Sequence, residues 1–184
     1  MTQEFRILES QIREIYGRVI YTHKTHEKCA DLLKSRNDGL KLLEIVLSAL
    51  TTTSIIAVVI GDQKTVEFIA VAFSTLLLFI TFYFKENNLL AIAEKHKQSA
   101  LEILAVREGL LSLLVDIRIG NHSIVELQAK RDALNEELIN SYRGAPKTLS
   151  SGYNMASKAL KENEEFTFSD AEIDRLLPES LRRN

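Results

Sequence analysis

The pattern of apolar positions along this chain changes character twice. Between residues 5 and 33, apolar or soft side chains return every three or four positions, at Phe5, Leu8, Ile12, Ile15, Val19, Thr22, His26, Cys29 and Leu33. That spacing draws a narrow seam down one face of a helix, of the kind that packs against another helix. From Leu42 the periodicity gives way to two runs without a charged residue, 45–61 and 68–84, parted only by the stretch that holds Asp62, Lys64 and Glu67. Each run lies at the short end of the roughly 17 to 25 residues that a spanning helix needs, and each can borrow a turn from its flanks. A helix apolar on all sides needs cover on all sides, and the amphipathic remainder offers stripes rather than an enclosing shell. The pattern therefore predicts a helical hairpin that crosses a bilayer twice.

Helical periodicity resumes after the hairpin with Leu89, Ile92, Ala93, Ala100, Ile103, Leu104, Leu110, Leu111, Leu114 and Ile117, and Gly120-Asn121-His122 ends it. Ser123 and Glu126 have capping-box spacing, in which serine oxygen and glutamate satisfy orphan amides at a helix start. The helix they open carries Ile124, Leu127, Leu134, Leu138 and Tyr142 and stops at Gly144-Ala145-Pro146. Small and polar residues follow, with a short helix expected over 153–161; a second capping box, Ser169 with Glu172, opens a brief helix that Pro178 closes. Asn37-Asp38-Gly39 marks a kink or break before the first span. The expected architecture is an all-α membrane protein. An N-terminal amphipathic helix (1–38), a two-transmembrane hairpin (39–87), a helical pair (88–145) and a tail with short helices (146–184) form it, with the arms making a bundle.

Composition sharpens this picture. Two prolines and seven glycines in 184 residues leave little to interrupt helices, and no run alternates with the period of a strand. A net charge of −2 provides no basic footprint for nucleic acid. Cys29 stands alone, so it has no partner for an intramolecular disulfide, and residues 1–40 lack the apolar core of a secretion signal. Lys24, Lys28, Lys34, Arg36 and Lys41 precede the hairpin and Lys85, Lys95 and Lys97 follow it, against Lys64 alone between the spans. Because Lys and Arg are retained inside, both termini are expected in the cytoplasm of a bacterial inner membrane, with Phe82, Tyr83 and Phe84 in the inner aromatic belt.

No phosphate loop, zinc-protease helix or nucleophile elbow is present, and the four histidines are scattered. The expectation is a protein that is not an enzyme and needs no cofactor. His23, His26 and Cys29 stand three residues apart on one helix, but they lack a fourth ligand and walk around its surface, so a polar layer in the seam is preferred to a metal site. Within the spans, Glu44, Ser48, Thr51 and Thr52 share one face, and Glu67, Ser74 and Thr81 recur every seventh residue. Such groups either line water or bond across helices. Glu67 also suits a first helical turn, where the dipole favours a carboxylate; with Asp62 it would set an acidic, cation-preferring ring at the outer mouth of an oligomer. Self-association is expected through Phe5, Leu8, Ile12, Ile15 and Val19.

A seam-bearing helix, a two-span hairpin with a tiny turn, a long returning helix and the endings GAPKTLSSGY and FSDAEIDRLLPESLR resemble the SLATT family. These are two-transmembrane effectors associated with bacterial nucleotide-signalling and reverse-transcriptase conflict systems. The resemblance spans nearly the whole chain and rests on architecture and tail rather than on a short chemical motif. It implies an antiphage effector that stays silent until infection, then assembles or opens to permeabilise the inner membrane and stop the cell. Its implied partners are the bilayer, further copies of the chain, and an upstream nucleotidyltransferase, acting through a cyclic nucleotide messenger, or a reverse-transcriptase system. Two readings from other classes remain: a non-catalytic membrane scaffold oligomerising through its arms, and a soluble helical interaction module with a buried hairpin. The Lys/Arg imbalance makes the topology testable. Reporters fused at Met1 and after Asn184 should read cytoplasmic and a tag within 61–65 periplasmic, whereas a periplasmic C-terminus would end this arrangement.

Overall fold

The computed structural model describes residues 2–61 and 64–183. Met1, Asp62, Gln63 and Asn184 lie outside the described residues, and with them part of the expected outer turn. Six α-helices follow in order: α1 (Gln3–Ile60), α2 (Lys64–Glu86), α3 (Leu89–Ile119), α4 (Ile124–Gly144), α5 (Ser150–Lys161) and α6 (Asp170–Leu176), then a 3₁₀ turn at Glu179–Leu181.

The largest departure from expectation is that α1 is one uninterrupted helix of 58 residues. At about 1.5 Å per residue it extends roughly 87 Å. Asn37-Asp38-Gly39 does not break it, and it runs straight across the 38/39 boundary. A single glycine costs a helix only about 1 kcal/mol, and packing on both sides outweighs that. The packed face is continuous too. Leu8, Ile12, Ile15, Val19, His26, Cys29, Leu33 and Asn37 are buried, and the same spacing runs on through half-buried Leu40 and Glu44, buried Leu47, and half-buried Thr51, Ser54 and Val58. Recurrence every 3.5 residues or so keeps one stripe of a long helix facing its partners.

Those partners belong to the same chain. α2 packs antiparallel along the apolar half of α1, and Asn87-Asn88 then interrupts the path. The Asn88 side chain accepts from the Ala91 N–H at 3.0 Å, which caps α3. α3 returns along the amphipathic half of α1, where Ile103, Val106, Leu110, Leu113 and Ile117 join Leu8, Ile12, Ile15, Val19 and Leu127 in the main core. The seam expected to meet a second copy, Phe5, Leu8, Ile12, Ile15 and Val19, therefore meets α3 and α4 of its own chain; Phe5 is half-buried and the other four are buried. Gly120 ends α3 in the left-handed region at φ 78°, and the Ser123/Glu126 capping box starts α4 as its sequence anticipates.

After Pro146 the chain crosses to α1. Leu149, like Leu40, packs against the cluster of Leu33, Leu89 and Ala93, and its N–H donates to the Cys29 sulfur at 3.3 Å. α5 then lies along α1 on its small residues Gly152, Ala156 and Ala159. The approach is close: a Cβ at Gly152 would collide with Cys29 Sγ and sit 3.4 Å from the Cys29 nitrogen and the Thr25 carbonyl oxygen. α6 and the 3₁₀ turn bury no residue.

This packing distinguishes two glycines by consequence. Gly152→Ala should lower the thermal unfolding midpoint, by an effect on the order of 1–3 kcal/mol, because overpacking forces α5 off α1. Gly17→Ala, with nothing within 4 Å of the new methyl, should raise stability by roughly 0.5–1 kcal/mol through helix propensity. Circular dichroism melts of the two variants in detergent would check the opposite signs.

Candidate functional site

Two regions carry side chains whose placement demands an explanation. The first is the hairpin of α1 beyond Leu42 with α2. Only 6 % of the most apolar 18-residue window of each is buried. Helices that form the core of a soluble protein are mostly buried, so these side chains, Ile60 and Phe68 among the most exposed, require an apolar solvent. The soluble-module reading needs a buried hairpin, and among the described residues the hairpin is not buried within the chain.

The polar residues of the hairpin fall into two groups. Glu44, Ser48 and Thr51 are half-buried on the side of α1 that packs on α2, whereas Thr52, Glu67, Ser74 and Thr81 are exposed. Among the described residues one side-chain hydrogen bond joins the spans, the Thr81 hydroxyl donating to Glu44 Oε1 at 3.3 Å. The other hydroxyls donate to carbonyls of their own helix: Ser48 to Glu44, Thr51 to Leu47, Thr52 to Ser48, and Ser74 to Val71, at 2.8–2.9 Å. Thr53, Ser54 and Thr75, absent from the sequence-based set, do the same. A hydroxyl satisfied in this way needs neither water nor a neighbouring helix. Glu67 stands exposed in the first turn of α2, and Asp62, its expected companion, lies outside the described residues.

The second region is a polar layer across the middle of the bundle, where α1 contributes His23, Lys24, Thr25 and His26 and α3 contributes His96, Ser99 and Arg107. Except for Arg107, which is half-buried, all are buried. His26 and His96 meet Nδ1 to Nδ1 at 3.0 Å. One imidazole must donate its Nδ1–H and the other accept, so the pair holds together only while at least one ring is neutral. Burial pushes His26 down to about 4, helped by His96 and His23, and burial lowers His96 as well. His23 is also depressed, foremost by burial, and its Nδ1 has no hydrogen-bond partner. Cys29 is held as an inert thiol, since burial raises it more than the Leu149 N–H lowers it.

Charge in this layer is matched from two sources, the tail and neighbours on the same helices, Arg107 holding Glu108 at 2.6 Å. Glu165 takes Lys24 Nζ at 2.6 Å and Lys28 Nζ at 3.2 Å, and Glu27 takes Lys24 at 2.9 Å. Burial lowers Lys24, but its hydrogen bonds to Glu165 and Glu27 outweigh that and raise it; the Lys24 hydrogen bond is the main reason Glu165 is lowered. The Phe166 ring stacks on His23 at 5.8 Å and takes Lys24 and Arg107 over its faces at 4.5 and 4.6 Å. Beside it a cleft of about 610 Å³ opens between α1 and α3, lined in part by His23, Lys24, Glu27, Lys34, Glu94 and Lys97. Of these groups the sequence pattern places only His23, His26 and Cys29 in a polar layer. Lys24, His96, Arg107, Glu165 and Phe166 meet through the fold alone. Among the described residues no three His, Cys, Asp or Glu side chains gather around a metal position.

The histidine pair gives the bundle an acid limit. Both rings are depressed in the folded chain, so the unfolded chain binds more protons between its ordinary value near 6.5 and the folded value of about 4. Stability is complete above 6.5 and falls as pH is lowered through that window. The apparent melting temperature should drop between pH 7 and 5, and the drop should be smaller in His26→Gln; parallel curves for the two proteins would refute the assignment.

A comparison with sequence families gives one match: the profile described as SMODS and SLOG-associating 2TM effector domain family 4 covers residues 8–172. The matched segment takes in both apolar helices, the bundle and the tail as far as α6. No curated protein and no solved structure matches the chain.

Proposed function

The chain belongs to the SMODS and SLOG-associating 2TM effector domain family 4, and from that premise we propose that it is an antiphage effector that permeabilises the bacterial inner membrane when a partner signal reaches its bundle. The observation that carries this reading is the union of two lipid-demanding helices with a well-packed bundle through one unbroken helix. The family description names an effector domain and no reaction, which accords with action by assembly rather than catalysis.

Two helices cannot surround a water path, so permeabilisation requires several copies. In such an oligomer the exposed face of α2 that carries Glu67, Ser74 and Thr81 would line the passage, with Thr52 of α1 beside it. Glu44, Ser48 and Thr51, turned toward α2 in the single chain, would reach water only if the hairpin opened. Because the Leu8–Val19 seam is filled internally, copies would meet through the hairpin or the outer faces of α3 and α4. The termini and bundle lie in the cytoplasm in this scheme, where an upstream nucleotidyltransferase with its cyclic nucleotide, or a reverse-transcriptase partner, would act.

Ion selectivity tests the passage. Acidic rings favour cations, so reversal potentials in an asymmetric KCl gradient should show potassium preferred over chloride, and Glu67→Gln should weaken that preference. Equal permeability in both proteins would reduce Glu67 to a helix-start residue. Induction with the neighbouring genes should collapse membrane potential; a maintained potential after a verified trigger would remove the effector reading.

A further inference from the structure

The tail contact at the polar layer has the composition of a bound ligand. Glu165 supplies a carboxylate held by two ammonium groups, and Phe166 supplies a ring between two cations and upon an imidazole. What surrounds them is built and buried: His23 is 3 % exposed, and both its Nδ1 and Arg107 Nη1 are buried without a hydrogen-bond partner. The occupant is less committed, because Phe166 is 36 % exposed. Beyond it the chain leaves the bundle, since α6 buries nothing and Leu176 is 81 % exposed. Glu164, which aims the two residues inward, sits in the left-handed region at φ 51°, a conformation disfavoured for a residue with a Cβ. A strained turn of this kind persists when the contacts on either side hold it. Before it, α5 is anchored independently by Gly152, Ala156 and Ala159.

We infer that His23, Lys24, Lys28 and Arg107 form a socket for an acidic-aromatic peptide pair, filled in the resting chain by its own Glu165–Phe166, and that emptying this socket releases the effector. The regulatory half of this inference rests on the membrane-effector reading; the socket itself does not. Its mechanism is electrostatic. With the pair in place, Glu165 serves Lys24 and Lys28 together, and Phe166 covers Arg107, whose own carboxylate partner is Glu108; with it gone, buried Lys24 keeps Glu27 alone, Lys28 loses its carboxylate and the Arg107 face is uncovered beside the cleft. Removing one carboxylate from a buried lysine that had two weakens the compensation of its charge and is destabilising. The two helices would then shift at this layer to reach water, and α1 carries the shift toward the bilayer.

The test uses the full-length chain in proteoliposomes and the double variant Glu165→Gln/Phe166→Ala. Helicity should be retained, because α5 keeps its own contacts. Amide exchange over 162–168 should accelerate by roughly ten-fold or more as the segment detaches. Dye leakage should appear without any trigger, and a synthetic peptide of residues 162–168 added in trans should suppress it. Lys24→Gln, which removes the ammonium that Glu165 meets most closely, should accelerate exchange over the same segment. Unchanged exchange in the double variant would overturn the socket. Lost protection without leakage, in liposomes where triggered native chain does leak, would overturn the regulatory half. If no form of the protein leaks under any trigger, the effector reading falls, while the exchange results still decide the socket.

Discussion

Because Leu8 and Val58 lie on one face of one helix, nothing in this molecule can change the bundle without bearing on the membrane span. An amphipathic helix followed by a flexible joint would let the two halves move apart. α1 has no joint, and its packed stripe runs through water and lipid alike, with α3 and α4 covering it in the bundle and α2 covering it in the hairpin. A helix transmits rotation and tilt over its length far better than a loop does, since each turn is tied to the next by its own hydrogen bonds. The bilayer imposes the same continuity for another reason: backbone groups within it must be satisfied inside the segment.

Against that constraint, the polar layer stands out as the place where the stripe departs from apolar chemistry. Leu and Ile would give more stability at those positions, and polar groups within a helical seam are often kept because they fix register. Here the requirement goes further. Lys24 is buried and its carboxylate partners are Glu27 on its own helix and Glu165 on the tail, so undocking the tail removes the shorter of its two ion pairs and the carboxylate that Lys28 meets. The helix pair α1 and α3 thus depends on a segment more than a hundred residues from α1 in sequence, attached by contacts that water can replace.

The hairpin, the capped helix starts and the stop at Gly144 are legible in the sequence because each is enforced locally, by a run long enough for lipid or by residues three apart that satisfy one helix end. Both capping boxes form as spaced, at Ser123/Glu126 and Ser169/Glu172. The identity of the seam's partner is a different kind of question. Periodicity tells which face of α1 is buried, not whether Ile103 of the same chain or Ile12 of another copy buries it. The break expected at Gly39 failed because local propensity is weak beside tertiary packing. As for the socket, Lys24 and Glu165 carry no mutual signal along the chain; only the docking of α5 on Gly152 brings them together.

The two media in which α1 lies also divide the energetics. In water the bundle is driven together by burial of Ile12, Ile103, Leu110 and their neighbours, each worth about 1.5–3 kcal/mol. In lipid that drive vanishes, since acyl chains are as apolar as leucine, and α1 and α2 are held by packing and by the Thr81–Glu44 hydrogen bond between the spans. Helices in the hairpin can therefore exchange partners at small cost, while helices in the bundle cannot. Such a division would suit the proposed effector: the membrane part would be free to reassemble, and the barrier to doing so would lie in the aqueous part, where a solute or protein could reach it. The contact most easily undone there is the one made by the tail.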